Sequence, residues 1–559
     1  MTAFPGWTRL GTGVAPHRGV APLGLEPVGR WFVDRLMPGI NNITEHVRYY
    51  SFFSWALWTF LQQAQEGHLR RTNQDQARWL VRMENILRFA TLYADWRDQS
   101  KTWGLIGVER AGKLDLPWAD PDAMLDVGEK LAATAFVPAA YRASFAALGC
   151  AEIIGDHANL TAGTGGALAE AFHHQVLTAE NADAERALLL STADRIPMRV
   201  LHRLADAVRI RPVATTDPEQ PLLADLLFRI RHPRQNPETR GTDENRARSI
   251  ALLMDVLRAA DAPLRTGDYH AVFASGHLPG GHPYSPPPGL QNAWVLWRGY
   301  QEREFQRVAL YGFLHAAVLE IREQERQRGH RSSASVVGAL VDAARAAAVV
   351  QDWLGRPISE WTVGEAQDAL LDRLDPTGAD FAHSLEGLSS RVIAAEDTGE
   401  IVAGSLLLFL LATATAERAA AGQPTWIRRL HERGDSQRLS LALAIEDVER
   451  RRPLPLPEFT RWLLETYVLA QTFGVAMQKL AEGRFRFFLA VGDDGYEVVR
   501  APTDGRLYYP PRIASAFQML SELGLLEPQP GGTVGLSAPG HDWLDETIRH
   551  FEGANTRSG

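Results

Sequence analysis

The sequence predicts a mainly α-helical, multidomain protein with a C-terminal β-hairpin and a small winged-helix-like module. Three observations predict it. Apolar residues recur at helical spacing through most of the 559 residues. With 45% apolar residues, the chain can fill several cores of roughly 150 residues each. Strand and hairpin signals are concentrated after residue 484. The expected division is an N-terminal arm with an aromatic-rich helical domain (1–130), a middle helical domain (131–290), a second helical domain (291–452) and the C-terminal module (453–559).

The elements follow in order. Pro and Gly at short intervals make the first forty residues an irregular arm. A helix then starts behind the Pro38-Gly39 turn, with Asn42 as N-cap and Glu45 in the capping-box position. From Tyr49 to Leu61 apolar and aromatic residues occupy every face, which predicts a helix surrounded by protein. Arg48 stands at its start. A buried guanidinium needs a carboxylate or carbonyls, and Glu45 at i−3 is the expected partner; recognition of a phosphate or carboxylate with help from Tyr49 or Tyr50 is the alternative.

Helical patterns continue over 74–95, 120–134, 138–148, 167–178, 182–190 and 198–207. Between 222 and 260 two helices flank a polar loop, RIRHPRQNPETRGTDENR. The Pro- and Gly-rich stretch 266–290 reads as a domain boundary or a long surface loop. Helices follow over 294–327, 335–353, 363–374, 400–420 and 454–480. Arg484 to Arg500 then reads as a hairpin around Asp494-Gly495. Residues 510–548 have a winged-helix pattern: a helix ending at Gly524, strands at 525–527 and 534–536 around a Gly531-Gly532 tip, and a closing helix capped by Ser537.

Composition limits the function classes. A formal charge of −9 argues against a nonspecific nucleic-acid coat. Only Lys101, Lys113, Lys130 and Lys479 are lysines among 58 basic residues, a skew expected of a GC-rich bacterial genome. Arginine clusters therefore carry little phosphate-binding signal. The single Cys150 excludes a disulfide framework and thiolate zinc sites. No secretory signal is apparent, and the longest apolar run, 401–416, is shorter than the ~20 residues of a spanning helix. A cytoplasmic protein without a membrane partner is expected.

No catalytic constellation emerges, so catalytic, metal and cofactor residues are none. The one Gly-Lys pair, Gly112-Lys113, is followed by Leu, and TAGTGGALAEAF at Thr161 lacks the lysine of a phosphate loop. No lysine follows an acid at i−2 as in many nucleases, and HExxH, GxSxG and CxxC are absent. His270, His277 and His282 share a loop, for which a solvated surface is the expected state. The nucleic-acid candidates are Arg484, Arg486, Arg512, Ser515 and Gln518 of the C-terminal module, with Arg231 and Arg234 of the polar loop.

Leu23-Gly24-Leu25, Pro38-Gly39, Arg48-Tyr49 and the aromatic run Phe52 to Trp55 resemble the opening of an uncharacterised bacterial family associated with restriction and phage-defence gene neighbourhoods. Relatives often carry a basic residue two before the Arg, where this chain has His46. The resemblance implies context and no active site. With the missing motifs and the winged-helix pattern, it leads to the expectation of a non-enzymatic, nucleic-acid-associated or scaffold subunit. DNA is a possible partner, and a protein partner would supply ATPase or nuclease activity. The alternatives are a metal-dependent nuclease with a dispersed Asp/Glu/His site and a winged-helix transcription regulator.

Overall fold

The computed structural model describes residues 22–41, 45–102, 107, 111, 114, 116–128, 140–155, 157–179, 182–260, 262–421, 439–481, 487–499, 508 and 512–555. Among the described residues 65% are helical and the strands pair only as two-stranded sheets, so the protein is mainly α-helical. Two compact units are formed from interleaved stretches of chain. One contains the described residues of Met1–Val33, Gly267–Ser285 and Gln291–Pro511; the other contains those of Asp34–Thr266, Pro286–Leu290 and Arg512–Gly559.

The first unit is built around two long helices, Gln291–Arg326 and Thr398–Ala421. They meet closely because Gly312 lacks a side chain where a Cβ would fall 2.1 Å from Ser405 Oγ. Thr398–Ala421 is apolar all round and buried along most of its length. Around it pack Ser333–Ala344, Ala348–Leu354, Val363–Arg373 and Leu385–Ala394. The expected single helix 335–353 is two helices bent by 56°. The break is stabilised by Glu400, whose carboxylate accepts from the backbone N–H groups of Ala348 and Val349 and so caps the second helix.

The expected hairpin is present as Leu489–Gly492 paired with Gly495–Val498, with its turn one residue earlier than expected, at Asp493-Asp494, because Gly495 already pairs with Gly492. Its turn docks on Arg331, which donates backbone N–H to Asp494 O (2.7 Å) and accepts from Tyr496 N (2.8 Å). Gly495 is required there: its φ is +105°, and a Cβ would meet Arg331 O at 2.3 Å.

In the second unit the aromatic helix is Arg48–Gln65; Asn42, its expected cap, lies outside the described residues. It packs on Thr164–Leu177, with Asn73–Asp98 beside it. Gly165 lets Thr164–Leu177 start against Cys150 O, which a Cβ would approach to 2.1 Å.

Three sequence expectations are corrected in this unit. The helix expected at 120–134 begins instead as a strand, Met124–Asp126, paired antiparallel with Arg195–Pro197. The Asn85 amide holds Val127 O at 3.0 Å at its end, and only the tertiary partner makes so short a strand stable. The hairpin Ala151–Ile154 with His157–Leu160 was not anticipated, because its Gly155-Asp156 order lacks the stronger Asp-Gly signal. Half of the polar loop after Phe228 is helix: Pro237–Ala259 begins behind Asn236, whose side chain accepts from Glu238 N at 3.0 Å.

The C-terminal residues of this unit form Ile513–Glu522, strands Leu526–Gln529 and Thr533–Leu536, and Ala538–Asn555. Ser537 Oγ accepts from Gly540 N at 3.0 Å and caps the last helix. These elements are bound to the rest of the unit by Val213 N to Glu522 O (2.7 Å) and by Leu264 pairing with Val534.

Candidate functional site

Arg48 is fully buried, and every direction its guanidinium faces is filled by protein. Nε donates to Glu219 Oε1 (2.8 Å), and Nη2 donates to Gln175 Oε1 (2.8 Å) and Ala207 O (2.7 Å). Nη1 donates to Arg209 O. Phe172 lies against the guanidinium at 4.9 Å. Burial lowers the Arg48 pKa and Glu219 opposes that shift. The expected partner Glu45 is replaced by Glu219, 171 residues along the chain, since a guanidinium this deep needs a carboxylate equally deep. Tyr49 is core, stacked on Phe53 and 4.4 Å from the Tyr141 ring. His46 Nδ1 lies 2.5 Å from Glu522 Oε1, and Val47 N donates to Glu522 Oε2 at 2.9 Å. Together these residues tie the helix start to the body, and the guanidinium of Arg48 is taken up by protein partners.

The nucleic-acid candidates are mostly engaged within the chain. Arg231 forms a bidentate pair with Glu546 (3.1 and 2.7 Å) and covers the Trp543 ring at 4.0 Å. Arg234 grips both oxygens of Asp243 (2.5 and 2.8 Å). Arg512 donates to Asp34 Oδ1 and to Met37 O (3.1 Å). Ser515 is buried. Gln518 is exposed and donates to Glu522 (3.2 Å). Arg484 and Arg486 lie outside the described residues.

Beside this helix a groove of about 380 Å³ runs between Ile513–Glu522 and the following hairpin. Its lining includes Ala514, Phe517, Gln518, Ser521, Glu522 and Val534 and contains no basic residue.

The first unit holds a different kind of site. Between Arg298 and Arg307 the long helix buries Gln301, Glu302, Arg303, Glu304, Gln306 and Arg307. Among the described residues, Gln301 Nε2, Arg303 Nη2 and Gln306 Nε2 have no hydrogen-bond partner, an uncommon density of unmet donors. His270 Nδ1 meets Gln301 Oε1 at 2.7 Å, and its ring stacks on Tyr508 at 4.5 Å. Tyr508 Oη donates to Glu386 Oε2 at 2.8 Å and lies 2.7 Å from Ser389 Oγ.

This network borders a cavity of about 340 Å³ lined by apolar side chains, including Phe305, Leu371, Leu374 and Leu385, and by the charged residues Arg298, Glu302, Asp375, Glu386 and Arg418. Burial pushes the Glu302 and Glu386 carboxyls up to about 7; Arg298 opposes this at Glu302, and the Tyr508 hydroxyl opposes it at Glu386. Burial also lowers the His270 pKa and keeps its ring neutral. A largely apolar concavity with a few polar groups of shifted pKa is the usual form of a small-molecule site.

Among the described residues, no three His, Cys, Asp or Glu side chains converge as metal ligands. His270 stands on the helix Asp268–Ser275, away from the loop shared by His277 and His282. No family model, curated protein or solved structure matches the chain.

The cavity is absent from the sequence reading because charged residues in a helix ordinarily mark its solvated face. A signal was present. Glu302, Arg303, Arg307 and Glu304 spread over more than half of the helix circumference, and Tyr300 and Tyr311 fall within the same arc, so the charged side cannot all face water.

Proposed function

We propose that the protein is a non-enzymatic scaffold subunit of a cytoplasmic bacterial anti-phage defence system, acting with a protein partner that supplies ATPase or nuclease activity. The observation that carries this reading is the groove along Ile513–Glu522. A helix that reads DNA presents polar side chains beside basic residues that hold phosphate. Here the groove lining is apolar, neutral or acidic, and the nearby Arg512 is committed to Asp34. That chemistry suits a protein segment better than a nucleic acid. The resemblance of the N-terminal residues to a defence-associated family supports the setting. A metal-dependent nuclease or a transcription regulator draws less support, given that ligand residues are scattered among the described residues and that the candidate reading helix exposes Ala514 and Gln518.

The test is affinity capture of the tagged protein from its host, with and without nuclease treatment, beside an Ala514→Arg variant. A partner ATPase or nuclease retained after treatment and lost with Ala514→Arg is the expected result. Recovery of nucleic acid alone, or degradation of DNA by the purified chain with added metal, would overturn the proposal.

A further inference from the structure

We infer that the cavity lined by Arg298 and Glu386 binds a zwitterionic amino acid with an apolar body, its carboxylate received by Arg298 and its ammonium group by Glu386. At about 340 Å³ the cavity is within the size range of small-molecule sites. Ala271, Phe305, Leu371, Leu374 and Leu385 are among its lining and would bury the body, while the charged residues decide what the ends must carry. The inference is independent of the groove along Ile513–Glu522, which belongs to the other unit.

Charges of both signs line the space, so the question is which of them are already used. Asp375 accepts from Thr377 N (2.8 Å), Thr377 Oγ1 (2.7 Å) and Asp380 N (2.6 Å), all within its own loop. Glu302, one helical turn after Arg298, is buried and engaged within the protein. Arg418, near the end of Thr398–Ala421, is exposed to solvent and adds positive charge at the rim.

Two groups of opposite sign keep capacity. The Arg298 guanidinium lies 5.8 Å from the Trp294 ring and forms no ion pair among the described residues, and its buried Nε has no acceptor. Glu386, in the first turn of Leu385–Ala394, has Oε2 occupied by the Tyr508 hydroxyl, while Oε1 accepts no hydrogen bond among the described residues. The two line one cavity without pairing with each other. A guanidinium and a carboxylate drawn from water each need a counter-charge or hydrogen-bond partners. A ligand that answers both carries a carboxylate at one point and an ammonium group at another, and a ligand with one charge leaves the opposite group unanswered.

That requirement sets the test. Calorimetric titrations of the full chain would compare phenylalanine with phenethylamine and 3-phenylpropanoate, and 6-aminohexanoate with pentylamine and hexanoate, so that each zwitterion is matched by its two halves. The expected result is that at least one zwitterion binds at least about tenfold more tightly than either of its halves. Arg298→Gln should reduce its affinity to that of the amine, and Glu386→Gln to that of the acid. Retained near-ultraviolet circular dichroism would certify folding of the variants, and the comparison of ligands on the native chain needs no variant. An amine or an acid binding as tightly as its zwitterion, full affinity retained in either folded variant, or failure of both zwitterions to bind at about 10 mM would each overturn the assignment.

Discussion

Replacing Glu219 by Gln would leave Arg48 buried without its counter-charge, and breaking a buried pair from one side typically costs about 3–5 kcal/mol. Urea unfolding of Glu219→Gln should register that loss. Glu45→Gln should change the unfolding free energy by less than about 0.5 kcal/mol, since Glu45 is not the partner. Arg231→Met, which breaks an ion pair with both side chains about two-fifths exposed, should cost about 1 kcal/mol or less. Glu302 and Glu386 carry the pH dependence. Their folded pKa values, about 7, lie above the ordinary carboxylate value, so the native state holds protons that the unfolded chain has released. Stability from these groups therefore falls as pH rises from about 4.5 to about 7 and is level above that. His173 and His270, lowered by burial, act in the opposite sense on acidification below about 6.5. The difference between the native chain and Glu302→Gln isolates the carboxyl, and it should change by about 1–3 kcal/mol between about pH 8 and pH 5 in urea titrations. At this scale the sequence identified Arg48 as a residue needing a buried partner, but the partner's identity depended on a fold that brings residue 219 beside it.

Helices are where the sequence was most legible, because a 3.6-residue apolar period survives whatever the partner is. It failed where a local signal competed with a tertiary one. The 335–353 pattern runs unbroken in sequence, yet a carboxylate from Glu400 stabilises a bend within it. The strand Met124–Asp126 is three residues long, too short to carry a period at all. Glycines give a test of element packing. Gly312 sits where the two long helices nearly touch, and Gly312→Ala should cost about 1–3 kcal/mol through the clash with Ser405 and Val392. Gly338, on Ser333–Ala344, has nothing within 4 Å of its Cβ position, so Gly338→Ala should raise stability by up to about 1 kcal/mol. Thr362→Ala, which removes a complete capping box from Val363–Arg373, should lose about 1 kcal/mol. Thermal unfolding of the three variants would read these opposed signs in one series. A destabilised Gly338→Ala would contradict the open space beside that helix.

For the whole molecule, hydropathy and charge require separate accounts. The segment Thr398–Arg418 is long and apolar enough to cross a bilayer, more than the 401–416 run implied, yet 89% of its most apolar stretch is buried within the protein. It is packed as the core helix of a soluble protein is, and the chain should remain in the supernatant after high-speed sedimentation without detergent. Charge bears on the nucleic-acid question. The formal charge is −9, and Arg231, Arg234 and Arg512 each hold a carboxylate of the same chain. Phosphate contact by these arginines would require breaking those pairs, which reduces the counterion release that drives nonspecific binding. Fluorescence anisotropy with a labelled duplex at about 0.15 M salt should therefore give a Kd weaker than about 10 µM and a shallow salt slope, near two phosphates or fewer. Nanomolar binding with a slope of about six or more would mean that a basic surface outside these pairs meets DNA, and would return the helix and hairpin after Arg512 to a reading role. Weak binding together with a nuclease-resistant partner would leave protein association as the chemistry the groove serves.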